Sequence, residues 1–305
     1  MRFGTAFVEG EHAPVMSLDG NDWYLMAACL KDMLNGVDEN PSLADFIAFG
    51  DELVEACRVT RTKGFPSAAR IESPDFRAPI PRPGKNVFCV GRNYADHIAE
   101  DNRSRDLNTD LPKYPQFFTK PATSVVGPGE PILLHEKVTR RLDYEVELAV
   151  VIGRAGRDIA QDRVEEHLFG YMICNDVTAR DLQRRHDQWF KGKGLDGSCP
   201  MGPWIVHKSA LGDVSNLAIR LSVNGESRQD ARIKDMIFTI PELVGSLSAG
   251  LTLEAGDIIA TGTPSGVGYA MDPRQYLQAG DVVRCEIEGI GVIENTVALA
   301  TLQSR

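Results

Sequence analysis

The sequence predicts an α+β fold that is mainly β, a mixed β-sandwich or roll preceded by a small N-terminal α/β unit. Two observations carry this. From Asn86 onward, short apolar or alternating runs follow one another, separated by turn signals such as NGE, AGD and EGIG. Within that region only residues 164–170 and 236–250 read as helices, too few to cover the faces of a doubly wound sheet.

The elements follow in order. Residues 2–19 read as two short strands around the turn GEH. Residues 41–57 read as a helix: Ser42 is a fitting N-cap, and Leu43, Phe46, Ile47, Leu53, Val54 and Cys57 form an apolar stripe. Residues 59–85 are rich in proline and poor in periodicity, so they read as a linker. This gives a small domain with its linker over 1–78 and a main domain over 79–305. The strands of the main domain are NVFCVG, EPILL, EVELAVVIG, GYMICND, GPWIVH, AIRLSVNG, DIIATG, VVRCEIEG and GVIENTVALA. Residues 100–115, EDNRSRDLNTDLPKYP, read as a long polar loop of the kind that serves as a lid.

Composition bounds the function. A net charge of −10 argues against nucleic acid, whose partners carry basic patches. No apolar run reaches the roughly 18 residues of a membrane span, so no membrane partner is expected. The opening MRFGTAFVEGEHAP lacks the apolar stretch of a secretory signal. Six scattered cysteines with no C-x-x-C spacing read as reduced thiols of a cytoplasmic protein, not as a disulfide frame or zinc site.

The segment RRLDYEVELAVVIG, residues 140–153, alternates acid and apolar residues before turning apolar. As one strand it puts Asp143, Glu145 and Glu147 on a single face. A solvated edge would explain such a face, and RCEIEGIG repeats the spacing at Glu286 and Glu288. The apolar continuation points instead to burial, where carboxylates need compensation. A second apolar strand, GYMICND, ends in Asp176. Glu145, Glu147 and Asp176 converging from two strands would suit Mg²⁺ or Mn²⁺.

Other groups gather around this idea. His97 and Glu100 in GRNYADHIAE stand three apart, so on a helical turn they share a face and could form a general base. A surface pair is the plainer reading of H-x-x-E alone. Residues 176–203 place Arg180, Gln183 and Lys193 after Asp176, with Trp189, Phe190 and Met201 as candidate apolar walls. Arginine and lysine there could hold a carboxylate substrate, while Arg184, Arg185 and Lys191 read as a solvated face. DIIATGTPSGVG is a strand entering a Gly-rich turn whose amides could approach an anion, with the Thr263 hydroxyl beside them. No stretch matches a nucleotide-binding loop or a nucleophile elbow.

Taken together, GRNYADHIAE, FFTKPATSVVGPGEPI, LDYEVELAVVIG, GYMICNDVTARDLQ, KGKGLDGSCPMGPWI, GDIIATGTPSGVG and GDVVRCEIEGIGVIENTV, in that order, resemble the fumarylacetoacetate hydrolase family over about residues 80–305. The resemblance implies that family's mixed β-sandwich roll, a homodimer, and a divalent metal, Mg²⁺ or Mn²⁺, with Ca²⁺ able to replace it in crystals. It implies Glu145, Glu147 and Asp176 as ligands, and His97 with Glu100 as a water-activating dyad on a lid. It also implies Lys193 as the group that neutralises developing charge, and Arg180, Gln183 and Thr263 as binders of substrate oxygens. Asp143 lies outside that ligand set and is expected to support it from behind.

The hydrolase that names the family has a further metal carboxylate where this chain has Val90, which favours an acylpyruvase-like branch. The expected activity is then hydrolysis of a carbon–carbon bond in a 2,4-dioxo acid. Maleylpyruvate or fumarylpyruvate, from aromatic-compound breakdown, would give pyruvate and a second acid. The same enolate chemistry supports isomerisation of a 2-hydroxyhepta-2,4-diene-1,7-dioate-type acid or oxaloacetate decarboxylation. A non-catalytic β-roll that binds a small acid is the remaining alternative.

Overall fold

The computed structural model describes residues 1–300. Two sheets dominate. The main path of the larger, twelve-stranded sheet runs Arg70–Ile71, Trp23–Leu25, Glu11–Ser17, Arg2–Val8, Cys199–His207, Leu168–Asn175, Val146–Ile152, Ile258–Ala260, Val87–Gly91 and Gln116–Lys120. The smaller, five-stranded sheet runs Glu226–Arg232, Ala218–Val223, Val282–Ile287, Gly291–Leu299 and Ile132–Leu134. The expected mainly-β mixed architecture is what forms.

The strand Val146–Ile152 is buried along its whole length, and its alternation explains why. Val146, Leu148, Val150 and Ile152 face a core shared with Ile219, Leu221, Val283 and Ile293 of the smaller sheet. Ala149 and Val151 face a second core, which includes Phe3, Met26, Leu43, Phe46 and Leu53 from the N-terminal region. An apolar strand covered on both sides is the arrangement its composition demands. The N-terminal strand Arg2–Val8 pairs antiparallel with Cys199–His207, so the first residues of the chain continue the sheet of the main domain.

Several local expectations need correction. The helix read over 41–57 is two helices, Leu43–Ile47 and Asp51–Lys63, separated at Gly50, whose φ of 54° no helix interior accommodates. Ser42 does cap the first, in a capping box with Asp45. The second runs on to Lys63, so the linker begins later than its prolines suggested. Helix 164–170 shortens to Val164–His167, because Leu168 opens a fully buried strand. The polar loop at 100–115 is helical in its first part: Ala95–Arg105 forms one helix carrying His97 and Glu100. The acidic strand is broken at Tyr144 and Glu145. Leu142–Asp143 pairs with Thr178–Ala179, while Val146 begins a different ladder.

Two short helices follow Asp176, at Arg180–Arg185 and Phe190–Lys193. They meet at Gly192, where an added methyl group would collide with the backbone nitrogen of Gln183. Gly192→Ala must therefore push the Lys193 turn away from Gln183. A destabilisation of about 1–3 kcal/mol is expected in thermal or denaturant unfolding. An unchanged unfolding midpoint would show that the two helices separate without strain.

Candidate active site

Three carboxylates meet because two strands end side by side. Val146 pairs with Asn175, so the start of one strand lies against the end of the other. The Asp176 amide donates to the Glu145 carbonyl at 2.8 Å, and the Glu145 amide donates to Asn175 Oδ1 at 3.0 Å. Glu145, Glu147 and Asp176 are all buried, and one oxygen from each lies within 4.8 Å of the others.

Buried cations answer most of this charge. Lys193 Nζ lies 2.6 Å from both Glu145 Oε2 and Asp176 Oδ2. Arg180 stands 2.6 Å from Glu145 Oε1 through its NH2 group. Lys120, wholly buried, is 2.8 Å from Asp176 Oδ1 and also donates to the carbonyls of Val177 and Lys193. Asp176 thus has an ammonium against each of its oxygens.

Asp143 accepts from Arg180 Nε at 2.8 Å and from the amides of Gly268 and Tyr269 at 2.9 and 3.1 Å. It thus orients Arg180, rather than the three clustered acids, and ties it to the Gly-rich turn.

Glu147 is the exception. Among the described residues no basic group stands within 4 Å of it, and the Gly262 amide is its hydrogen-bond donor, at 2.9 Å. Burial first, then the charges of Asp176 and Glu145, push its carboxyl well above the carboxylate range. Burial also pushes Glu145 upward, but Lys193 and Arg180 outweigh it and hold that group down at about 2. Burial lowers the basicity of Lys193, while Asp176 and Glu145 more than restore it, so its ammonium stays charged. Three hard oxygen donors, one of them a carboxylate without a cation, fit a divalent metal.

The helix Ala95–Arg105 lies over this cluster. His97 Nδ1 faces Glu100 Oε2 at 3.4 Å. Both Glu100 oxygens accept the Gly266 amide, at 2.9 and 3.1 Å, and Tyr269 Oη donates to Asp101 Oδ1 at 3.0 Å. Two consecutive acids thus dock the helix onto the Gly-rich turn. His97 Nε2 is left without a protein partner among the described residues.

A cavity of about 300 Å³ opens between helix and cluster. Of the sequence-predicted residues, His97, Glu145, Glu147, Arg180, Gln183, Lys193 and Thr263 line it. Gln183 Oε1 accepts from Arg180 at 3.2 Å. The Thr263 hydroxyl donates to the Val146 carbonyl and accepts from Gln229. Asp176 and Glu100 sit behind the lining, in contact with residues that form it.

Trp189 makes an apolar wall, but Met201 is buried in the core beneath the sheet and Phe190 points to solvent. Val90 lines the cavity, an apolar group beside the acid cluster. Glu286 and Glu288 lie far along the smaller sheet, where Glu286 pairs with Arg284.

Sequence reasoning missed Lys120, Tyr269 and Arg105; Arg184 is exposed, as its reading as a solvated face requires, yet it also lines the cavity mouth. Lys120 had a signal, a lone lysine closing the short run QFFT before a proline. Tyr269 had none, since its role depends on the turn that carries it.

Comparison with known proteins shows the family and the fold. The family described as "Fumarylacetoacetate (FAA) hydrolase C-terminal" matches residues 86–298. Oxaloacetate tautomerase YisK of Bacillus subtilis is 51% identical over 222 residues, 73% of this chain and 72% of that protein. The fumarylacetoacetate hydrolase structure from Exiguobacterium antarcticum superposes with a TM-score of 0.80 at 39% identity, covering 98% of this chain and 100% of that one. Maleylpyruvate hydrolase from Sphingobium sp. SYK-6, solved with manganese(II) and pyruvate, superposes at 0.77 with 27% identity, covering 99% and 100%.

Glu147 generates a prediction with a definite sign. Its folded-state pKa is raised, so in the metal-free protein its contribution to stability is fully present below the unfolded value and is lost as pH rises towards the folded one. Glu147→Gln should therefore raise the melting temperature of metal-free protein at neutral pH and abolish stabilisation by added Mg²⁺ or Mn²⁺. A metal-dependent rise in melting temperature that survives the substitution would remove Glu147 from the ligand set.

Proposed function

This chain belongs to the fumarylacetoacetate hydrolase family, and from that premise we propose that it is a metal-dependent tautomerase of a short 2-oxo dicarboxylic acid, with oxaloacetate as the leading substrate. One observation carries the reading: a buried lysine, Lys193, and a histidine with a free Nε2 line the same small, cation-rich cavity. The similarity to a relative named for oxaloacetate tautomerisation supports it.

Keto–enol exchange requires a proton to leave C3 and a proton to arrive on the C2 oxygen. His97 Nε2 takes the C3 proton, and Glu100 stabilises the imidazolium that results. Charge then collects on the C2 oxygen as an enolate. Lys193, too basic to act as the base, offers its ammonium to that oxygen. The imidazolium returns the proton to oxygen, so His97 ends as it began. Arg180, fixed by Asp143 and Gln183, holds the neighbouring carboxylate. Mg²⁺ or Mn²⁺ bound by Glu145, Glu147 and Asp176 would supply Lewis-acid polarisation of the 2-oxo group. In this reading the enzyme works in the cytoplasm as a homodimer.

Hydrolysis of an acylpyruvate is the second reading. The His97–Glu100 pair favours it, since the same base could deprotonate water, and so does the likeness to maleylpyruvate hydrolase. The two differ in whether a carbon–carbon bond breaks.

Ultraviolet loss of enol-oxaloacetate, measured beside pyruvate release from maleylpyruvate, fumarylpyruvate and acetylpyruvate, separates them. Enol loss should be accelerated only with Mg²⁺ or Mn²⁺, and His97→Ala should lower kcat by about 10²–10⁴-fold. Faster pyruvate release from any acylpyruvate than enol loss from oxaloacetate would transfer the assignment to the hydrolase.

A further inference from the structure

We propose that Arg184 and Arg105 form a receptor for the second carboxylate of the substrate, so that the cavity selects diacids over monoacids. The proposal rests on the 2-oxo acid reading and names the part of the substrate that reading leaves unplaced.

Charge balance raises the need. Four buried carboxylates, Asp143, Glu145, Glu147 and Asp176, face three buried cations, Lys120, Arg180 and Lys193. A divalent metal turns that deficit into an excess of one positive charge, which the 2-oxo-carboxylate end of a substrate neutralises. A second carboxylate finds no counterpart in the cluster and must meet cations elsewhere in the cavity.

The rim supplies them. Arg184 and Arg105 both line the cavity. Among the described residues no acid stands within 4 Å of the Arg184 guanidinium; Asp101, beside Arg105, lies 3.3 Å from that arginine. Both arginines are exposed at the cavity mouth, where partial desolvation and then the neighbouring charge of Arg105 lower the basicity of Arg184, with Arg274 adding to the effect. Cations crowded together at a cavity mouth attract an anion.

The fold also fixes where Arg184 sits relative to Arg180. The two are four residues apart on one helix and share a face. Tyr269 carries both guanidinium groups, with Arg180 4.4 Å and Arg184 5.2 Å from its ring centroid. That ring is held at both ends, by Asp143 at its backbone amide and by Asp101 at its hydroxyl. One arginine therefore serves the buried end of the substrate and the other its outer end, at a set spacing. Arg105 closes the helix that carries His97, so a diacid bridging Arg184 and Arg105 also fastens the base over its substrate.

Calorimetric binding of oxaloacetate and pyruvate to the Mn²⁺-loaded protein tests this, because the two ligands differ by the second carboxylate. Arg184→Gln should weaken oxaloacetate by about tenfold or more while shifting pyruvate by less than about twofold. Arg184→Lys, which keeps the charge but not the fork, should fall between. Arg185→Gln makes the same charge change one residue away and should alter neither ligand. Equal weakening of both ligands by Arg184→Gln, or unchanged oxaloacetate affinity, would overturn the proposal. If wild-type protein binds oxaloacetate with this discrimination yet fails to accelerate enol loss, the tautomerase reading falls and the carboxylate receptor stands.

Discussion

Burying four carboxylates where two strands meet is the constraint on which the rest of this molecule depends. Each would cost several kcal/mol if left uncompensated, and the surrounding elements can be read as the compensation. The strand Gln116–Lys120 delivers Lys120 to Asp176. The Phe190–Lys193 turn delivers Lys193 to Glu145 and Asp176. The helix Arg180–Arg185 delivers Arg180 between Asp143 and Glu145. Lys120 also ties the arrangement together, since its ammonium donates to the carbonyl of Lys193 and so joins one cation's side chain to another's backbone. The balance stops short at Glu147, and that shortfall is what gives the site an appetite for a metal.

The Gly-rich turn joins this cluster to the helix above it. Its amides reach Asp143 on one side and Glu100 on the other, and Tyr269 spans from Arg180 to Asp101. The turn therefore couples the position of Arg180, through Asp143, to that of Glu100. The same scaffold can serve isomerisation, decarboxylation or hydrolysis, since all pass through charge gathered on the oxygen of a 2-oxo acid. Hydrolysis alone needs a water beside His97, while isomerisation and decarboxylation differ in whether a proton or carbon dioxide leaves the carbon next to the 2-oxo group.

Much of this was legible in the sequence, for physical reasons that differ by residue. Glu145 and Glu147 were readable because burial of the apolar run after them made a solvated face costly, and Asp176 because a second apolar strand ended in it. The duplicate at Glu286 and Glu288 lacked that company and proved to be a surface feature. Asp143 was misplaced by strict alternation: the break at Tyr144 and Glu145 turns it to Arg180 and the turn amides. Lys120 escaped because a lysine's burial depends on an acid fifty-six positions later. The helix at 95–105 was hidden by its polar composition, its order coming from docking through Glu100 and Asp101 rather than from an apolar stripe. The continuity of the N-terminal strands with the main sheet rests on pairing with Cys199–His207, a contact too distant in sequence for local pattern to report.

The most direct test is the anomalous scattering of Mn²⁺ in crystals of the protein. The account predicts one strong peak per chain, bounded by oxygens of Glu145, Glu147 and Asp176, with Lys120 still paired to Asp176. A peak elsewhere, or none at saturating Mn²⁺, would contradict it.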